Sequence, residues 1–187
     1  HVLFGTDRAL LLDSGAGGLL IRPAIDAIVA QWCKAHGRAS IPLVVAHTHA
    51  HGDHHQGDAE FNGRPDTTVV GLTQQDVAAF FHIAAWPTQI VQFDLGGRLL
   101  DVIPTPGHED SHIMVYDART HILQGGDALY PGRLYFPAAQ FAAFKASVDR
   151  VVAFTKTHKV DHILSNHIEM TRTHGVDFPM QIGRAHV

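Results

Sequence analysis

Short apolar runs alternate with longer stretches of helical periodicity along the whole chain. Near the N-terminus, two runs separated by a Gly5-Thr6-Asp7 turn predict a β-hairpin of Val2–Phe4 and Ala9–Asp13. Pro23 suits the first turn of a helix, and Gly37 is the glycine that ends it. The apolar stripe of this helix recurs at steps of three and four residues and comprises Ile25, Ile28, Val29, Trp32 and Cys33.

The next segment is predicted to hold two strands and a second helix. Pro42–Ala46 is a continuous apolar run of strand length, and it leads directly into a polar loop rich in histidine. Thr67–Gly71 is another short strand, and Thr73 with Asp76 three residues later forms the capping-box signature of a helix start. The inner face of that helix is predicted at Val77, Phe80, Phe81 and Ala84. A buried strand followed by a polar loop is how α/β folds present chemistry.

Two further hairpins are predicted in the second half of the chain. Gln89–Pro104 divides into two strands around Gly96-Gly97, and His112–Tyr116 pairs with His121–Gln124 around a polar turn. These strands are predicted to be mostly antiparallel neighbours, and they form a group separate from the N-terminal strands.

A long helix and one more strand complete the predicted fold. The helix runs from about Pro137 to Thr157, and the strand from Val160 to Leu164. The buried side of the helix is predicted at Phe141, Phe144, Val148, Val151 and Thr155. Two groups of strands, each flanked by helices, predict an α/β fold: a four-layered α/β/β/α sandwich of two mixed sheets, with the polar loops along one edge.

Length and composition restrict the class of protein. The 187 residues make about one domain with one substantial core. The formal net charge of −4 argues against a nucleic-acid partner bound through charge alone, and no apolar run approaches the roughly 20 residues of a membrane helix. Cys33 is the sole cysteine, which excludes an intramolecular disulfide and a thiolate metal cage and favours a cytoplasmic protein. Nitrogen and oxygen must therefore hold any metal.

Both ends of the chain look incomplete. There is no initiator methionine and a predicted strand begins at once, so a signal peptide or a further strand could have preceded His1. The last six residues, Ile182–Val187, resemble the translation of a sequencing-library adapter and are predicted to be a non-native tail. The single domain is accordingly predicted to span residues 1–181.

Histidine is the anomalous residue type, with sixteen in the chain, and the loop after Pro42–Ala46 holds the densest group. Within Thr48–His54 lie four potential metal ligands: His49, His51, Asp53 and His54. A divalent cation needs several lone pairs converging at about 2.0–2.2 Å, and alternate side chains of an extended segment point to the same side. The adjacent Asp53-His54 pair fixes which two histidines alternate. If they were His47 and His49, an acid would be needed at position 51, where His51 stands. His47 is therefore the spare histidine of the motif.

Three further donors follow later strands. His108 comes after the strand that ends at Pro104, Asp127 follows the Gly125-Gly126 pair, and His167 comes after the final strand. Because each lies directly after an apolar run, these side chains are expected to project into one cleft together with the first loop.

With these motifs in this order, the chain resembles the metallo-β-lactamase fold superfamily from Asp13 to His167. The resemblance implies two metal ions, zinc above iron or manganese. It implies that one ion is held by three residues, that a second is held by three others and that Asp127 bridges them, while Asp13 supports the loop. The implied sets are His49, His51 and His108, and then Asp53, His54 and His167.

Two ions about 3.5–4 Å apart share and activate a hydroxide and polarise the bond to be broken, so no serine or cysteine nucleophile is needed. No Gly-x-Ser-x-Gly elbow is present. Asp53 and Tyr130 are the candidate catalytic residues, because similar lactone hydrolases carry a tyrosine at the position of Tyr130, and a phenol there can stabilise an oxyanion. Packing is the alternative role for this ring. Retention of an acid at Asp127 favours hydrolysis of esters, thioesters, lactones or phosphodiesters over antibiotic resistance.

The third motif departs from the more frequent pattern. Glu109 and Asp110 stand where Thr-Pro is usual, and extra negative charge there is expected to deter phosphate-bearing substrates and nucleic acid. Arg133 and Tyr135 are candidates for the wall of the substrate cleft or for an exposed loop. The histidines that flank the first loop, His47 and His55, are expected to support the ligands from outside, and His112 belongs to the third motif.

The sequence therefore predicts a binuclear metal-dependent hydrolase that attacks the carbonyl of a small ester, thioester or lactone, similar to glyoxalase II and lactonases. A mononuclear iron dioxygenase that oxidises persulfides has much the same ligands and is the first alternative. Phosphodiesterase or β-lactamase activity, and a metal-binding domain without activity, are the others. Neither the substrate nor the oligomeric state follows from the sequence.

Overall fold

The first of two β-sheets contains the N-terminal strands. The structure is a computed structural model that describes residues 1–168, 170–171, 173 and 175–176. Four strands form this sheet in chain order: β1 (Val2–Phe4), β2 (Ala9–Leu12), β3 (Leu43–Ala46) and β4 (Thr67–Val69). β1 and β2 are the predicted antiparallel hairpin, and β2, β3 and β4 run parallel.

The second sheet has five strands, also in chain order. They are β5 (Val91–Asp94), β6 (Leu99–Pro104), β7 (Ile113–Asp117), β8 (Ile122–Gly126) and β9 (His162–Ser165). Neighbouring strands from β5 to β8 are antiparallel, whereas β8 and β9 are parallel. Both sheets are thus mixed, and the carboxyl ends of β6, β8 and β9 lie at one edge.

In the part of the chain that the structure describes, four helices and two 3₁₀ turns connect the strands. The helices are α1 (Arg22–Ala35), α2 (Gly52–His55), α3 (Gln74–Phe81) and α4 (Phe141–Thr155), and the turns are Asp58–Phe61 and Ala138–Gln140. The capping box at Thr73 is present, since its hydroxyl accepts from the amide of Asp76 at 3.1 Å. Among the described residues, no helix is long and apolar enough to cross a membrane.

Three apolar clusters hold the layers together. The central one lies between the sheets and includes Leu10, Val44, Val102 and Val115. One outer cluster joins α1 to the first sheet, and the other joins α4 to the second sheet. The predicted four-layered α/β/β/α sandwich is therefore confirmed. The Ile182–Val187 segment lies outside the described residues.

Four positions of the predicted helix faces are exposed: Ile28, Ala84, Phe141 and Thr155. In α4 the two exposed positions, Phe141 and Thr155, are the first and last residues of the helix. The buried residues of α4 are the predicted Phe144 and Val151 together with Ser147 and Phe154. Ala84 is excluded because α3 ends at Phe81, where His82 adopts a left-handed conformation.

The edge at the carboxyl ends of β2, β3, β6, β8 and β9 gathers the polar loops. A backbone hydrogen bond from the amide of Ile113 to the carbonyl of Thr48, 2.8 Å long, joins the loop after β3 to the start of β7 and so ties the two sheets together there. The loops that carry the candidate ligands therefore meet at one edge of the sandwich.

A buried ion pair lies at the opposite edge. Arg98 donates to Asp117 at 2.6 Å and to the carbonyl of Phe4 at 3.0 Å, and the two charged side chains are only 13% and 3% exposed. Burial alone would raise the pKa of Asp117, but hydrogen bonds from Arg98 and Thr120 outweigh burial and hold the pKa below its usual value. The pair thus links the second sheet to the first.

We expect Asp117→Asn to lower the free energy of unfolding by about 3 kcal/mol at neutral pH, since it leaves the Arg98 guanidinium buried without its counter-charge. The pKa of Asp117 is lower in the folded than in the unfolded protein, so its contribution is complete above about pH 4 and is lost as the pH falls through the folded value. Urea unfolding at pH 7 and pH 3 should therefore show a smaller difference between variant and wild type in acid.

Asp149→Asn is the matched control, because Asp149 pairs with Lys145 on the exposed side of α4. Its removal is expected to change stability by no more than about 0.5 kcal/mol. A difference between Asp117→Asn and wild type that stays constant from pH 7 to pH 3 would contradict the assignment.

Candidate metal centre

The loop edge brings all seven predicted ligand residues together in two groups. In each group, every residue offers one donor atom and these atoms lie within 4.8 Å of one another. The first group is His49, His51, His108 and Asp127, and the second is Asp53, His54 and His167. The histidines and Asp53 divide as the resemblance implied, and Asp127, implied as a bridge, falls in the first group by this distance criterion.

Three imidazoles define the first group. Nδ1 of His51 lies 3.0 Å from Nε2 of His49 and 3.0 Å from Nε2 of His108. The carboxylate of Asp127 approaches Nε2 of His49 to 3.7 Å and Nε2 of His108 to 3.6 Å. The four donor atoms thus surround a common point at the mouth of the sandwich.

The second group shares Asp127 with the first. Nε2 of His54 and Nε2 of His167 each lie 3.5 Å from Oδ2 of Asp53. One oxygen of Asp127 lies 3.5 Å from Nε2 of His54, and the other lies 3.1 Å from Nε2 of His167. Asp127 is the carboxylate that contacts imidazoles of both groups.

The donor set fits divalent cations. Four donors placed about 2.0–2.1 Å from one ion in a tetrahedron lie about 3.3 Å apart, which is within the 3.0–3.7 Å range observed in the first group. Among the described residues, Nε2 of His54 and Oδ1 of Asp127 are buried without a hydrogen-bond partner. Buried polar atoms normally have a partner, and a cation would supply one to both.

The centre is buried on one side and open on the other. His49, His54 and Asp127 are buried, whereas His51 and Asp53 are exposed and His108 and His167 are intermediate. Asp127 directly follows the end of β8 and His54 lies on the buried side of α2, whereas Asp53 lies on the exposed side of the same helix. A ligand can therefore reach the centre from the side of His51 and Asp53.

Hydrogen bonds behind the ligands fix their orientation. Nδ1 of His49 lies 3.1 Å from the hydroxyl of Thr48, and Nδ1 of His108 lies 2.6 Å from the carbonyl oxygen of Tyr135. Nδ1 of His54 lies 3.4 Å from a carboxylate oxygen of Asp13. A histidine whose outer nitrogen is engaged in this way presents its other nitrogen for binding.

Asp13 supports the first loop, as the resemblance implied. Its carboxylate accepts from the amide of Thr48 at 2.7 Å and from the side chain of Asn166 at 2.7 Å. Asp13 itself has a positive φ of 65°, a conformation that aspartate tolerates better than most residues. The end of β2, the loop after β3 and the end of β9 are thereby joined.

The pKa values of the neighbouring histidines His49 and His54 are shifted in opposite directions. Burial alone would lower the pKa of His54, but Asp127 and Asp13 outweigh burial and raise it to about 10. Burial and the neighbouring imidazoles lower the pKa of His49, and the histidines around Asp127 hold the pKa of its carboxyl below the usual value despite burial. A cation that binds here displaces the proton of His54, since a ligating imidazole must be neutral.

The flanking histidines support the loop from outside. Nε2 of His47, the spare residue of the motif, lies 2.8 Å from the carboxylate of Asp58, which also accepts from the hydroxyl of Ser14 at 2.7 Å. His55 forms a backbone bridge with Gly15. These contacts hold the segment after β2 against α2.

The loop after β8 lies beside the centre. The Tyr130 ring lies edge-on to the His167 ring, with centroids 5.9 Å apart, and its hydroxyl donates to the carbonyl of Arg133. Tyr135 is 56% exposed.

Glu109, one of the two unusual acids of the third motif, supports the first loop. It accepts hydrogen bonds from Ser111 and from the amide of Ala50 at 3.5 Å.

Sequence reasoning missed Asn166 and the supporting role of Thr48. Asn166 donates to Asp13 and to Thr48 and contacts His54, although 153 residues separate it from Asp13. Its position before His167 was the one available signal, and asparagine at that place has no spacing rule that identifies a partner. The role of Thr48 depends on the same long-range contacts.

An α/β/β/α sandwich that gathers five histidines and two aspartates at one edge defines the scaffold of a metal-dependent hydrolase. The sequence profile of the metallo-beta-lactamase superfamily matches residues 1–155. The chain therefore belongs to the metallo-beta-lactamase superfamily.

Among curated proteins, the chain is 25% identical over 195 residues to the acyl-coenzyme A thioesterase MBLAC2 of Bos taurus, covering 87% of this chain and 70% of that one. It is 29% identical over 118 residues to the hydroxyacylglutathione hydrolase of Rhizobium meliloti, covering 61% of this chain and 43% of that one. The match thus spans less than half of the second relative.

Solved structures of the superfamily share the fold. A metallo-beta-lactamase from Hirschia baltica superposes with a TM-score of 0.58 at 19% identity, covering 89% of this chain and 77% of that one. An archaeal superfamily protein from Sulfolobus tokodaii gives 0.57 at 16% identity, covering 99% and 77%. Likeness at this level of identity defines the architecture and not the substrate.

Proposed function

We propose that this protein is a binuclear metal-dependent hydrolase that cleaves small-molecule thioesters. The observation that carries the proposal is the position of Asp127, whose carboxylate lies 3.1–3.7 Å from imidazoles of both ligand groups. The names of the similar proteins, an acyl-coenzyme A thioesterase and a hydroxyacylglutathione hydrolase, favour thioesters over the other carbonyl compounds that the sequence left open.

In the proposed centre, His49, His51 and His108 hold one ion, Asp53, His54 and His167 hold the other, and Asp127 contacts both. Two such ions lower the pKa of a water molecule and polarise a carbonyl group. Zinc suits a site of imidazole and carboxylate donors, and iron and manganese are also compatible with it.

The side chains of the chain have separate tasks in this scheme. The buried residues His49, His54 and Asp127 form the floor and keep its geometry fixed. Asp53, 43% exposed, lies on the open side, where its carboxylate can accept a proton as the reaction proceeds. Tyr130 lies beside His167, where its phenol can donate a hydrogen bond to the oxyanion once it leaves the Arg133 carbonyl.

We expect Tyr130→Phe to lower kcat about 10²-fold and to change KM little, because a hydrogen bond made mainly to the oxyanion stabilises the transition state more than bound substrate. Steady-state kinetics on one thioester would measure this. Tyr135→Phe is the control, since Tyr135 contacts His108 through its backbone carbonyl and its ring is exposed. An unchanged kcat in Tyr130→Phe would leave Tyr130 with the alternative role of packing.

Metal analysis and a substrate panel test the proposed function. Elemental analysis of the purified chain is expected to give two divalent ions per molecule. Hydrolysis is expected to be faster on thioesters than on matched oxygen esters, lactones, phosphodiesters and β-lactams, and a chelator should abolish it until zinc is restored. One ion per chain, or no hydrolysis of any carbonyl substrate by the metal-loaded protein, would refute the proposal.

A mononuclear iron dioxygenase is the second candidate. It is favoured by the first ligand group, in which His49, His108 and Asp127 form a two-histidine, one-carboxylate set typical of non-haem iron. One iron per chain together with oxygen consumption on a thiol persulfide would establish this function in place of the first.

A further inference from the structure

His112 is a fully buried histidine next to the proposed metal centre, but it belongs to neither ligand group. Its ring centroid lies 5.2 Å from that of His49 and 6.1 Å from that of His108. A completely buried imidazole needs a partner for each ring nitrogen, and the partners of His112 therefore indicate what it does.

Both ring nitrogens of His112 have partners of defined chemistry. The backbone amide of Asp127 donates to Nε2 of His112 at 3.3 Å, and Nδ1 lies 2.7 Å from the hydroxyl of Thr105. A backbone amide can only donate, so Nε2 must carry a lone pair, and the proton must sit on Nδ1 and point to the Thr105 oxygen. The Asp127 amide therefore selects the tautomer, and the Thr105 hydroxyl, which can accept as well as donate, accepts the Nδ1 proton of that tautomer.

The ring also determines the backbone just before Asp127. Gly126 has a positive φ of 53°, and a Cβ atom added there would lie 2.6 Å from Nε2 of His112. The imidazole fills the space that a side chain would need, so only glycine fits beside it in this left-handed conformation. His112 thus contacts the chain on both sides of the Gly126–Asp127 peptide bond.

His112 further closes the loop that carries His108. Its carbonyl accepts from the amide of Thr105 at 2.8 Å, and its amide donates to the carbonyl of Glu109 at 3.3 Å. The same residue therefore fixes the position of His108 through its backbone and that of Asp127 through its ring. The two loops meet where the first ligand group forms.

We propose that His112 is a positioning residue that, as the Nδ1–H tautomer held by Thr105, fixes the Asp127 backbone so that one carboxylate faces both ligand groups. This inference rests on the proposed metal set. In this inference, His112 itself contacts neither substrate nor metal. Its effect passes through Asp127, so its loss should weaken metal binding even where the fold is intact.

Two substitutions of similar size separate the role of the ring nitrogen from that of the ring volume. In His112→Gln the amide oxygen can take the place of Nε2 and still accept from Asp127, whereas His112→Met has no such acceptor. Zinc affinity of the metal-free proteins, measured by competition with a chelating dye, is expected to fall about 10- to 100-fold at the weaker site in the methionine variant. The glutamine variant should stay within about threefold of wild type.

Tyr116→Phe is the matched control on β7, the strand that begins directly after His112. The Tyr116 hydroxyl is also a buried polar group and donates to the carbonyl of Lys159 at 2.7 Å, but it lies in the α4 layer. Its loss should lower stability and leave both zinc affinities unchanged. Unchanged affinities in a folded His112→Met protein would overturn the inference.

A measurement on the metal-free wild type keeps the inference testable if the methionine variant does not fold. Nitrogen-15 NMR of the His112 ring should show the Nδ1–H tautomer, because only that tautomer can accept from the Asp127 amide at Nε2. The Nε2–H tautomer in the wild type would overturn the inference. This NMR measurement needs no metal, so its result does not depend on the number of bound ions. One ion per chain in the wild type would therefore refute the proposed function and leave this inference standing.

Discussion

Asp127→Asn is expected to reduce kcat/KM for thioester hydrolysis about 10³-fold and to reduce the number of bound ions from two to one. Asparagine keeps the shape of the side chain but removes the negative charge that contacts imidazoles of both groups. Loss of one preorganised electrostatic contact typically costs 10²–10³ in rate, and loss of an ion as well places the effect at the upper end.

The physical reason is the burial of Asp127 among histidines. The carboxylate is 9% exposed, and the histidines around it hold its pKa below the usual value despite burial, so it is ionised at neutral pH. In the proposed centre, a neutral amide there would leave two cations without a shared counter-charge, and this would weaken the binding of the second ion most. Elemental analysis and steady-state kinetics on the same preparation would show both effects together.

Asp161→Asn provides the control for this substitution. Asp161 also contacts a histidine and a lysine, His121 and Lys159, but does so at the protein surface at the base of β9. Its replacement should leave activity and ion content unchanged. A retained second ion and kcat/KM within tenfold of wild type in Asp127→Asn would contradict the bridging role of Asp127.

Much of the fold follows from local patterns that tertiary contacts reinforce. The run before the first histidine loop became β3, and the capping box at Thr73 begins α3, because burial and a local hydrogen bond both act within a few residues. The ends of strands and helices, in contrast, differ from the predicted ends by a few residues. α4 begins at Phe141, since a 3₁₀ turn precedes it, and β9 begins at His162.

The candidate ligands could be predicted because each follows a strand end. That placement is encoded locally, in an apolar run and the polar residue after it, as with His108 after β6 and Asp127 after β8. What supports the ligands depends on residues far apart in the chain, such as Asn166 on Asp13, and no periodicity encodes such contacts. The tautomer of His112 likewise depends on a long-range contact, the hydrogen bond from the backbone amide of Asp127.

Gly107→Ala is expected to lower the free energy of unfolding by about 4 kcal/mol and the Tm by about 8–16 °C. Gly107 has a positive φ of 133°, and a Cβ atom there would lie 2.4 Å from the backbone nitrogen and Cα of Phe144 in α4. Backbone atoms of a helix cannot rotate away as a side chain does, so the helix and the loop must move apart. Thermal and urea unfolding of the metal-free protein would measure the loss.

Gly37→Ala separates strain from contact, because Gly37 also has a positive φ, 64°, but no atom lies within 4 Å of an added Cβ. It is expected to cost only about 1 kcal/mol. The larger loss of unfolding free energy in Gly107→Ala then measures how tightly the loop after β6 packs on α4. Since His108 is the next residue, displacement of this loop should also weaken zinc binding in Gly107→Ala and not in Gly37→Ala. Equal costs at the two glycines would mean that α4 does not determine the position of His108.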